Sequence, residues 1–303
     1  STTSFARAMA EEDGLWSVKN SFFLGCFQQA ISEAIGANVS DANRTICNFY
    51  MYRAYIEQNQ ANLVMNDVKA SAPVPLLAVK LLASYMSSDR SGKDMALMQL
   101  KEWLSAPGAA AEPQLLLVAG LIFSHESEYK EALKYTHQST DLETMSLVAH
   151  IYLSMHRVDL ARKQVGLMQQ QDDDATLTKL ATAWVSMAEG GDKVQEALYE
   201  FQELGEKYNM SLMLTNGMAL ANLHMGQYTE AERLLQEALS KSASDVDTLA
   251  NMVVCLNHQR KPQEIIGRYV NQLRTIAPSH AWVMKYTELE SSFDRSSAQF
   301  AAA

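Results

Sequence analysis

The chain has 303 residues, of which 48% are hydrophobic, with only 13 Gly and 6 Pro and a formal net charge of −10 at pH 7. This hydrophobic fraction excludes a disordered chain, and the scarcity of glycine and proline argues against an all-β fold with its many turns. The acidic balance argues against direct binding to nucleic acid or to anionic lipid, because both carry negative charge. Since most of the abundant residues are good helix formers, we expect an all-α fold.

The cysteines and the hydropathy pattern bear on the compartment. Cys26, Cys47 and Cys255 are odd in number and widely spaced, which is typical of buried thiols in a reducing compartment. No apolar run is long enough to span a membrane, and the N-terminal stretch lacks the apolar core of a signal peptide. We therefore expect a cytoplasmic protein without membrane insertion.

A repeated pattern organises the chain from its first helices onward. Small or β-branched residues recur on helical stretches at steps of 29 to 36 residues, at Ala30, Val64, Ala96, Ala132, Ala161, Ala197, Ala231 and Ile265. A period near 34 with two helices per unit is the signature of tetratricopeptide (TPR) repeats. The pattern predicts about eight repeats over residues 15–279 and a further helix from about 280 to 295. Residues 1–14 and 296–303 are predicted to be flexible ends, and 15–295 a single TPR-type solenoid.

The stretch "GQYTEAERLLQEAL" (226–239) shows how one unit is built. Gly226 can take a positive φ in the turn between the two helices, and Tyr228 fills the space beneath that turn. Ala231 leaves room for the preceding helix to approach. The extra "GG" at 190–191 explains one long step, and the step of 29 residues predicts a shortened connection near "HQSTDLETM" (137–145).

No pattern in the sequence indicates catalysis or a bound cofactor. The seven histidines are dispersed without metal-ligand spacing. The acidic run 172–174 lacks the ligand pattern of a calcium loop and is interpreted as a helix cap. Neither a phosphate-binding loop nor a nucleophile motif is present. We therefore expect a protein that is not an enzyme and that has no metal, cofactor or small-molecule ligand.

The repeat register predicts which residues of the first helices face the inner surface of the array. The candidate partner-binding residues are Phe49, Arg53, Leu117, Leu121, His150, Trp184, Leu220 and Val254. This mostly apolar lining suits a hydrophobic polypeptide segment, and its single arginine argues against a chaperone adaptor that binds a C-terminal carboxylate. Under the alternative interpretation, tight curvature buries these residues within the array.

Several stretches resemble one particular family of helical repeat proteins. They are "LWSVKNSFFLGCFQQAISEA" (15–34), "YMYRAYIEQNQ" (50–60), residues 157–204 with "DDDATLTKLATAWV", and "ELESSFDR" (288–295). In colinear order they resemble the epsilon subunit family of coatomer, the coat of COPI vesicles.

The resemblance implies a non-enzymatic coat subunit with a defined partner. Such a subunit binds and stabilises the C-terminal region of the coatomer alpha subunit, and its repeats curl tightly around a protruding segment of that region. It acts in Golgi-to-ER and intra-Golgi transport and is peripheral on Golgi membranes and COPI vesicles. The alternative function is a stand-alone TPR adaptor that recruits a hydrophobic peptide segment.

Overall fold

The computed structural model describes residues 14–301, and all regular secondary structure in this range is helical. A helix α1 covers residues 14–23, and a short 3-10 helix lies at Ala109–Ala111. The other α-helices are α2 (Phe27–Gly36), α3 (Asp41–Glu57), α4 (Ala61–Asp67), α5 (Val74–Ser87), α6 (Arg90–Ser105), α7 (Pro113–His125), α8 (Tyr129–Thr136), α9 (Leu142–Ser154), α10 (Val158–Gln171), α11 (Thr176–Glu189), α12 (Lys193–Lys207), α13 (Leu212–His224), α14 (Tyr228–Lys241), α15 (Val246–His258), α16 (Gln263–Ile276) and α17 (Ala281–Ala301).

In chain order the helices form a series of eight helix–turn–helix segments, from α1/α2 to α15/α16, and α17 follows the last of them. This arrangement confirms the predicted all-α repeat architecture. In each pair the residue that the sequence pattern uses as an anchor lies near the start of the second helix. Seven of the eight anchors are buried, at most 4% exposed: Ala30, Val64, Ala96, Ala132, Ala161, Ala197 and Ala231.

The chain divides into two compact units, Ser1–Glu189 and Gly190–Ala303, which we call the N-terminal and the C-terminal unit. The boundary falls at the predicted "GG" insertion, where Gly190 and Gly191 both have a positive φ. A single solenoid over 15–295 therefore stays a prediction. Residues 1–13 of the predicted N-terminal segment lie outside the described residues.

The predicted anchor of the last repeat is wrong by one position. Ile265 is 40% exposed, whereas Ile266 is 2% exposed and packs in the core. The connection before α16 covers residues 259–262 and includes Pro262, whereas the equivalent connection before α14 covers only 225–227. The longer turn shifts the helix register by one residue, which moves the buried position from 265 to 266.

Two further expectations about element bounds are corrected. The step of 29 residues arises within helix α8, which has 8 residues where α10 and α14 each have 14; the connection that follows α8 is not shortened. At the other end of the chain, α17 continues through the predicted tail to Ala301. No glycine or proline follows position 295, so nothing in the sequence stops this helix.

Seven of the eight turns inside the pairs contain a residue with positive φ; the turn between α5 and α6, at Ser88 and Asp89, does not. Gly226 occupies this position as predicted, with a φ of 74°, and Gly25 does so in the first pair, with a φ of 75°. In four other turns the same conformation is held by residues with a side chain: Asn59, Ser127, His156 and Arg260. Such residues are strained in the left-handed region, so the turn geometry is imposed by the packing of the flanking helices.

Candidate partner-binding cavity

The first helices of successive repeats build the inner layer of the N-terminal unit. Helix α3 packs against α5, α5 against α7, α7 against α9, and α9 against α11. This layer curves so tightly that side chains of α3 reach those of α9, and a side chain of α1 reaches α11. The inner face of the unit is therefore a concave surface that is partly open to solvent.

A cavity of about 320 Å³ lies on this inner face. Four of the inner helices contribute its walls: α3, α7, α9 and α11. Its lining residues are Arg53, Leu117, Leu121, Glu143, Ser146, Leu147, Ala149, His150, Leu153, Leu177, Leu180, Ala181 and Trp184. Five of the eight predicted partner-binding residues are thus brought together around one space, across about 130 residues of sequence.

The predicted residues differ in how much surface they offer to a partner. Leu121 and Trp184 are half-buried, and His150 is exposed at the rim. In contrast, Phe49 and Leu117 are 0% and 4% exposed and belong to the core. For this second group the alternative interpretation holds, because the curvature of the layer buries them within the array. That a partner contacts any of the eight residues stays a prediction.

The remaining two predicted residues lie in the C-terminal unit. Leu220 is half-buried on α13. Val254, on α15, lines a separate pocket of about 380 Å³ whose other walls include Trp282 and Tyr286 of α17. These two aromatic rings stack on each other, with 5.1 Å between their centroids. Neither Leu220 nor Val254 lines the cavity of the N-terminal unit.

Arg53 is buried at the bottom of the cavity and forms an ion pair with Glu143 of α9. The guanidinium also lies over the ring of Phe22 at 4.6 Å and over the ring of Phe49 at 5.4 Å. Desolvation is the largest influence and opposes the charge of Arg53, but the charge and hydrogen bond of Glu143, together with Tyr50 and Glu57, hold the pKa of Arg53 above its usual value. The arginine that the sequence placed on a binding surface is thus already satisfied inside the protein.

Glu143 has a second partner on α3. The Tyr50 hydroxyl donates a hydrogen bond of 2.6 Å to Glu143 Oε2. Burial, and then the nearby charge of Glu143, raises the pKa of Tyr50 well above its usual value, so the phenol stays protonated and can donate. Two side chains of α3 therefore hold one carboxylate of α9 across about 90 residues of sequence.

A second polar link joins α1 to α11. The Thr176 hydroxyl donates to Asn20 Oδ1 at 2.5 Å, and both residues are buried. Sequence reasoning missed Asn20, Tyr50, Glu143 and Thr176. Glu143 stands in the first turn of a helix, where an acidic residue is ordinarily explained by the helix dipole, so no local pattern indicates its distant partner.

The cavity offers little net charge to an occupant. Arg53 and Glu143 neutralise each other, and desolvation by the surrounding walls lowers the pKa of His150, which keeps its imidazole uncharged at neutral pH. The remaining lining is mainly leucine and alanine with one tryptophan. Such a surface favours apolar side chains over charged groups, whose desolvation would be uncompensated.

The described range also bears on metal binding and on membrane insertion. Among residues 14–301, no three His, Cys, Asp or Glu side chains come together in a way that could hold a metal ion. Of the helices that the structure describes, none is both long and apolar enough to cross a membrane.

Comparison with known proteins identifies the family. Residues 11–301 match the family described as "Coatomer epsilon subunit". The chain belongs to the coatomer epsilon subunit family. Coatomer subunit epsilon-1 of Arabidopsis thaliana is 42% identical over 294 residues, which cover 97% of this chain and 99% of the relative. Coatomer subunit epsilon of Dictyostelium discoideum is 33% identical, with 95% and 99% covered. This family member is accordingly a COPI coat subunit that associates with other coatomer subunits on the cytoplasmic coat.

Solved structures with the same fold are TPR proteins. A tetratricopeptide repeat protein from Parabacteroides merdae aligns over 93% of this chain and 98% of its own, with a TM-score of 0.52 and 11% identity. The APC/C hetero-tetramer Cut9–Hcn1 contains a chain that aligns over 86% of this one and 51% of its own, with a TM-score of 0.55 and 14% identity. At these identities the likeness establishes the fold of the epsilon family member and nothing about its ligand.

Proposed function

We propose that this epsilon family member binds and stabilises the C-terminal region of the coatomer alpha subunit on the inner surface of its repeats. It acts there as a non-enzymatic structural subunit that supports Golgi-to-ER retrograde and intra-Golgi transport. In this role it resides on Golgi membranes and COPI vesicles as part of assembled coatomer. The observation that carries the proposal is the apolar cavity in the N-terminal unit. It offers an apolar surface that a partner subunit can cover when the coat assembles.

The chemistry of the lining supports a polypeptide occupant with apolar side chains. Leu121 and Trp184 leave apolar surface uncovered on the cavity wall. Covering such surface stabilises a complex by about 25 cal/mol per Å², before the cost of ordering the partner. A tryptophan in a recessed position is typical of the few residues that dominate the energy of an interface.

A binding experiment with charged substitutions tests the proposal. The full chain is titrated with the C-terminal region of the alpha subunit by isothermal calorimetry, as wild type and with Leu121→Asp or Trp184→Asp. A carboxylate in the apolar wall would be desolvated without a partner when the segment binds. We expect each substitution to weaken binding at least 100-fold, about 2.7 kcal/mol.

The matched control is Met98→Asp, since Met98 on α6 is 72% exposed and does not line the cavity. This variant is expected to bind like the wild type, and circular dichroism of all variants establishes that they fold. If the folded Leu121 and Trp184 variants bind as well as the control, the interface lies on another face. A wild type that binds an unrelated apolar peptide but not the alpha region would favour the stand-alone adaptor.

A further inference from the structure

Helix α17 carries a stripe of apolar side chains, most of which are exposed. The stripe recurs at alternating steps of four and three residues, the heptad spacing of a coiled coil. Its members, which we call the α17 stripe, are Trp282, Tyr286, Leu289, Phe293 and Phe300, and Ser296 takes the remaining core position. Trp282 and Tyr286 are half-buried beside α15, whereas Leu289, Phe293 and Phe300 are 59%, 72% and 84% exposed.

The rest of the C-terminal unit holds only the start of α17. Val283, in its first turn, is buried, and Arg274 of α16 forms an ion pair with Glu290. Of the other helices in the described range, none packs closely along the backbone of α17. A helix draws most of its stability from the packing of its apolar face, so the outer half of α17 is marginally stable until its stripe is covered.

The charges on α17 favour a protein partner over a lipid surface. Between positions 285 and 295 the basic residues Lys285 and Arg295 stand against the acidic residues Glu288, Glu290 and Asp294. Amphipathic helices that lie on membranes are rich in Lys and Arg on their polar face, because anionic headgroups attract them. This helix has no such excess of positive charge. Its stripe therefore suits an apolar helix with the same spacing.

A second copy of α17 matches the stripe in both spacing and charge. In the heptad Lys285 occupies a g position and Glu290 the following e position, and the other e and g positions of α17 are uncharged. In a parallel pair these two positions face each other across the helices, so Lys285 of each copy faces Glu290 of the other. An antiparallel pair would bring no opposite charges together. Both side chains are at least half exposed, and their present contacts with Glu288 and Arg274 lie at the surface, where ion pairs contribute little.

The size of such an interface is consistent with a weak dimer. A buried aromatic side chain contributes roughly 150–250 Å², so the stripes of two copies would together bury roughly 1,000–1,500 Å². This area lies at the lower end of specific interfaces, which bury about 1,200–2,000 Å².

We propose that the α17 stripe pairs in parallel with the α17 stripe of a second copy of this chain, which forms a two-fold symmetric dimer. The inference is independent of the proposed function, because α17 does not line the cavity of the N-terminal unit.

Sedimentation velocity of the full chain tests the proposal. Between about 1 and 200 µM the wild type should pass from monomer to dimer, with a Kd on the order of 10 µM. Phe293→Glu places a carboxylate in the apolar interface and should weaken dimerisation at least tenfold. The matched control is Ser291→Glu, which adds the same charge on the opposite side of α17 and should dimerise like the wild type. Circular dichroism establishes that each variant folds.

Charge exchange tests the parallel orientation. Lys285→Glu and Glu290→Lys each bring like charges together in a parallel pair, so each variant alone should dimerise at least threefold more weakly than the wild type. Mixed in equal amounts, the two variants regain both contacts between opposite charges and should associate with wild-type affinity. A mixture that associates no better than either variant alone would contradict the parallel pair.

Two further results would overturn the proposal. One is a wild type that stays monomeric over the whole range, or a Phe293→Glu chain that dimerises as well as Ser291→Glu. The other is a monomeric wild type that binds vesicles of phosphatidylcholine and phosphatidylserine when Phe293→Glu does not, which would assign the stripe to a membrane surface. Neither result bears on binding of the alpha subunit's C-terminal region, which is measured separately.

Discussion

Arg53 on α3 and Glu143 on α9 form a buried ion pair that spans three repeats, and each side chain is only 10% exposed. A buried charge that loses its partner is costly because the remaining charge is neither hydrated nor compensated. We predict that Glu143→Ala lowers the free energy of unfolding of the N-terminal unit by about 3–5 kcal/mol. Urea unfolding followed by circular dichroism measures the change.

The double variant Arg53→Met/Glu143→Leu is the control for that prediction. It removes both charges and replaces them with apolar side chains, so it should be more stable than Glu143→Ala alone. A double variant that is as unstable as the single one would show that the pair matters for packing rather than for charge.

Gly120 of α7 allows the close approach of two neighbouring helices. A Cβ at this position would lie 2.5 Å from Thr136 Cγ2 and 2.9 Å from Leu147 Cδ2. We predict that Gly120→Ala destabilises the fold by about 1–3 kcal/mol through overpacking. Gly166→Ala on α10 is the matched control, since nothing lies within 4 Å of its added Cβ.

The control Gly166→Ala should change the stability in the opposite direction. Alanine is favoured over glycine inside a helix by about 0.5–1 kcal/mol, so Gly166→Ala should raise the melting temperature. Thermal melts of the two variants and of the wild type measure both changes in melting temperature. Equal destabilisation by both substitutions would contradict the close packing at Gly120.

The turn residue His156 has a φ of 57°, in the region that costs a residue with a Cβ roughly 1–2 kcal/mol. Part of that cost is offset by the greater freedom of glycine in the unfolded chain. We therefore predict that His156→Gly stabilises the protein by about 0.5 kcal/mol and that Gly226→Ala, at the equivalent turn, destabilises it by about 1 kcal/mol. Chemical denaturation of both variants provides the test, and a loss of stability for His156→Gly would contradict the strain.

His150 gives the stability a dependence on pH. Desolvation by the neighbouring cavity wall lowers the pKa of His150 in the folded chain below the usual 6.5, so the unfolded chain binds more protons in the window just below 6.5. In that window stability falls as pH falls, and above it the effect is absent. We predict that His150→Gln loses less stability than the wild type between pH 7.5 and pH 5.5. Melting curves across this range measure the difference, and parallel curves for the two proteins would refute it.

The register of the last repeat separates what the sequence predicts from what only the structure reveals. The 34-residue period locates all eight pairs, because each second helix must bury a small or branched residue at one position. It points to Ile265 as the last of these residues, but the longer turn ending in Pro262 moves the buried position to Ile266. A fixed period carries no information about the length of a single turn, so an error of one residue in the predicted anchor is expected.

The candidate site shows the same difference between residues that the local repeat pattern places and residues whose partners are distant in sequence. Leu121, His150 and Trp184 are found from the sequence, because the repeat register fixes which face of each first helix points inward. Glu143 and Asn20 are not, because their partners lie 90 and 156 residues away and depend on the curvature of the layer. The curvature of the inner layer is the sum of small rotations between successive repeats, so no single motif predicts it.

The register at Ile266 is itself testable. We predict that Ile266→Ala destabilises the C-terminal unit by about 2–5 kcal/mol, because it removes a fully packed side chain. Ile265→Ala should cost less than Ile266→Ala, about 1 kcal/mol, since Ile265 is already 40% exposed. Denaturant titration of the two variants measures both values. Comparable losses, or the reverse order, would favour the register that the sequence alone indicates.

Site-specific photo-crosslinking tests the central claim most directly. A photoreactive phenylalanine analogue replaces Leu121, on the wall of the cavity, or Met98, on the exposed side of α6. The full chain is irradiated in complex with the alpha subunit's C-terminal region, and the products are mapped by mass spectrometry. We predict a crosslink from position 121 to the alpha segment and none from position 98. Crosslinks from position 98 alone would contradict binding on the inner face.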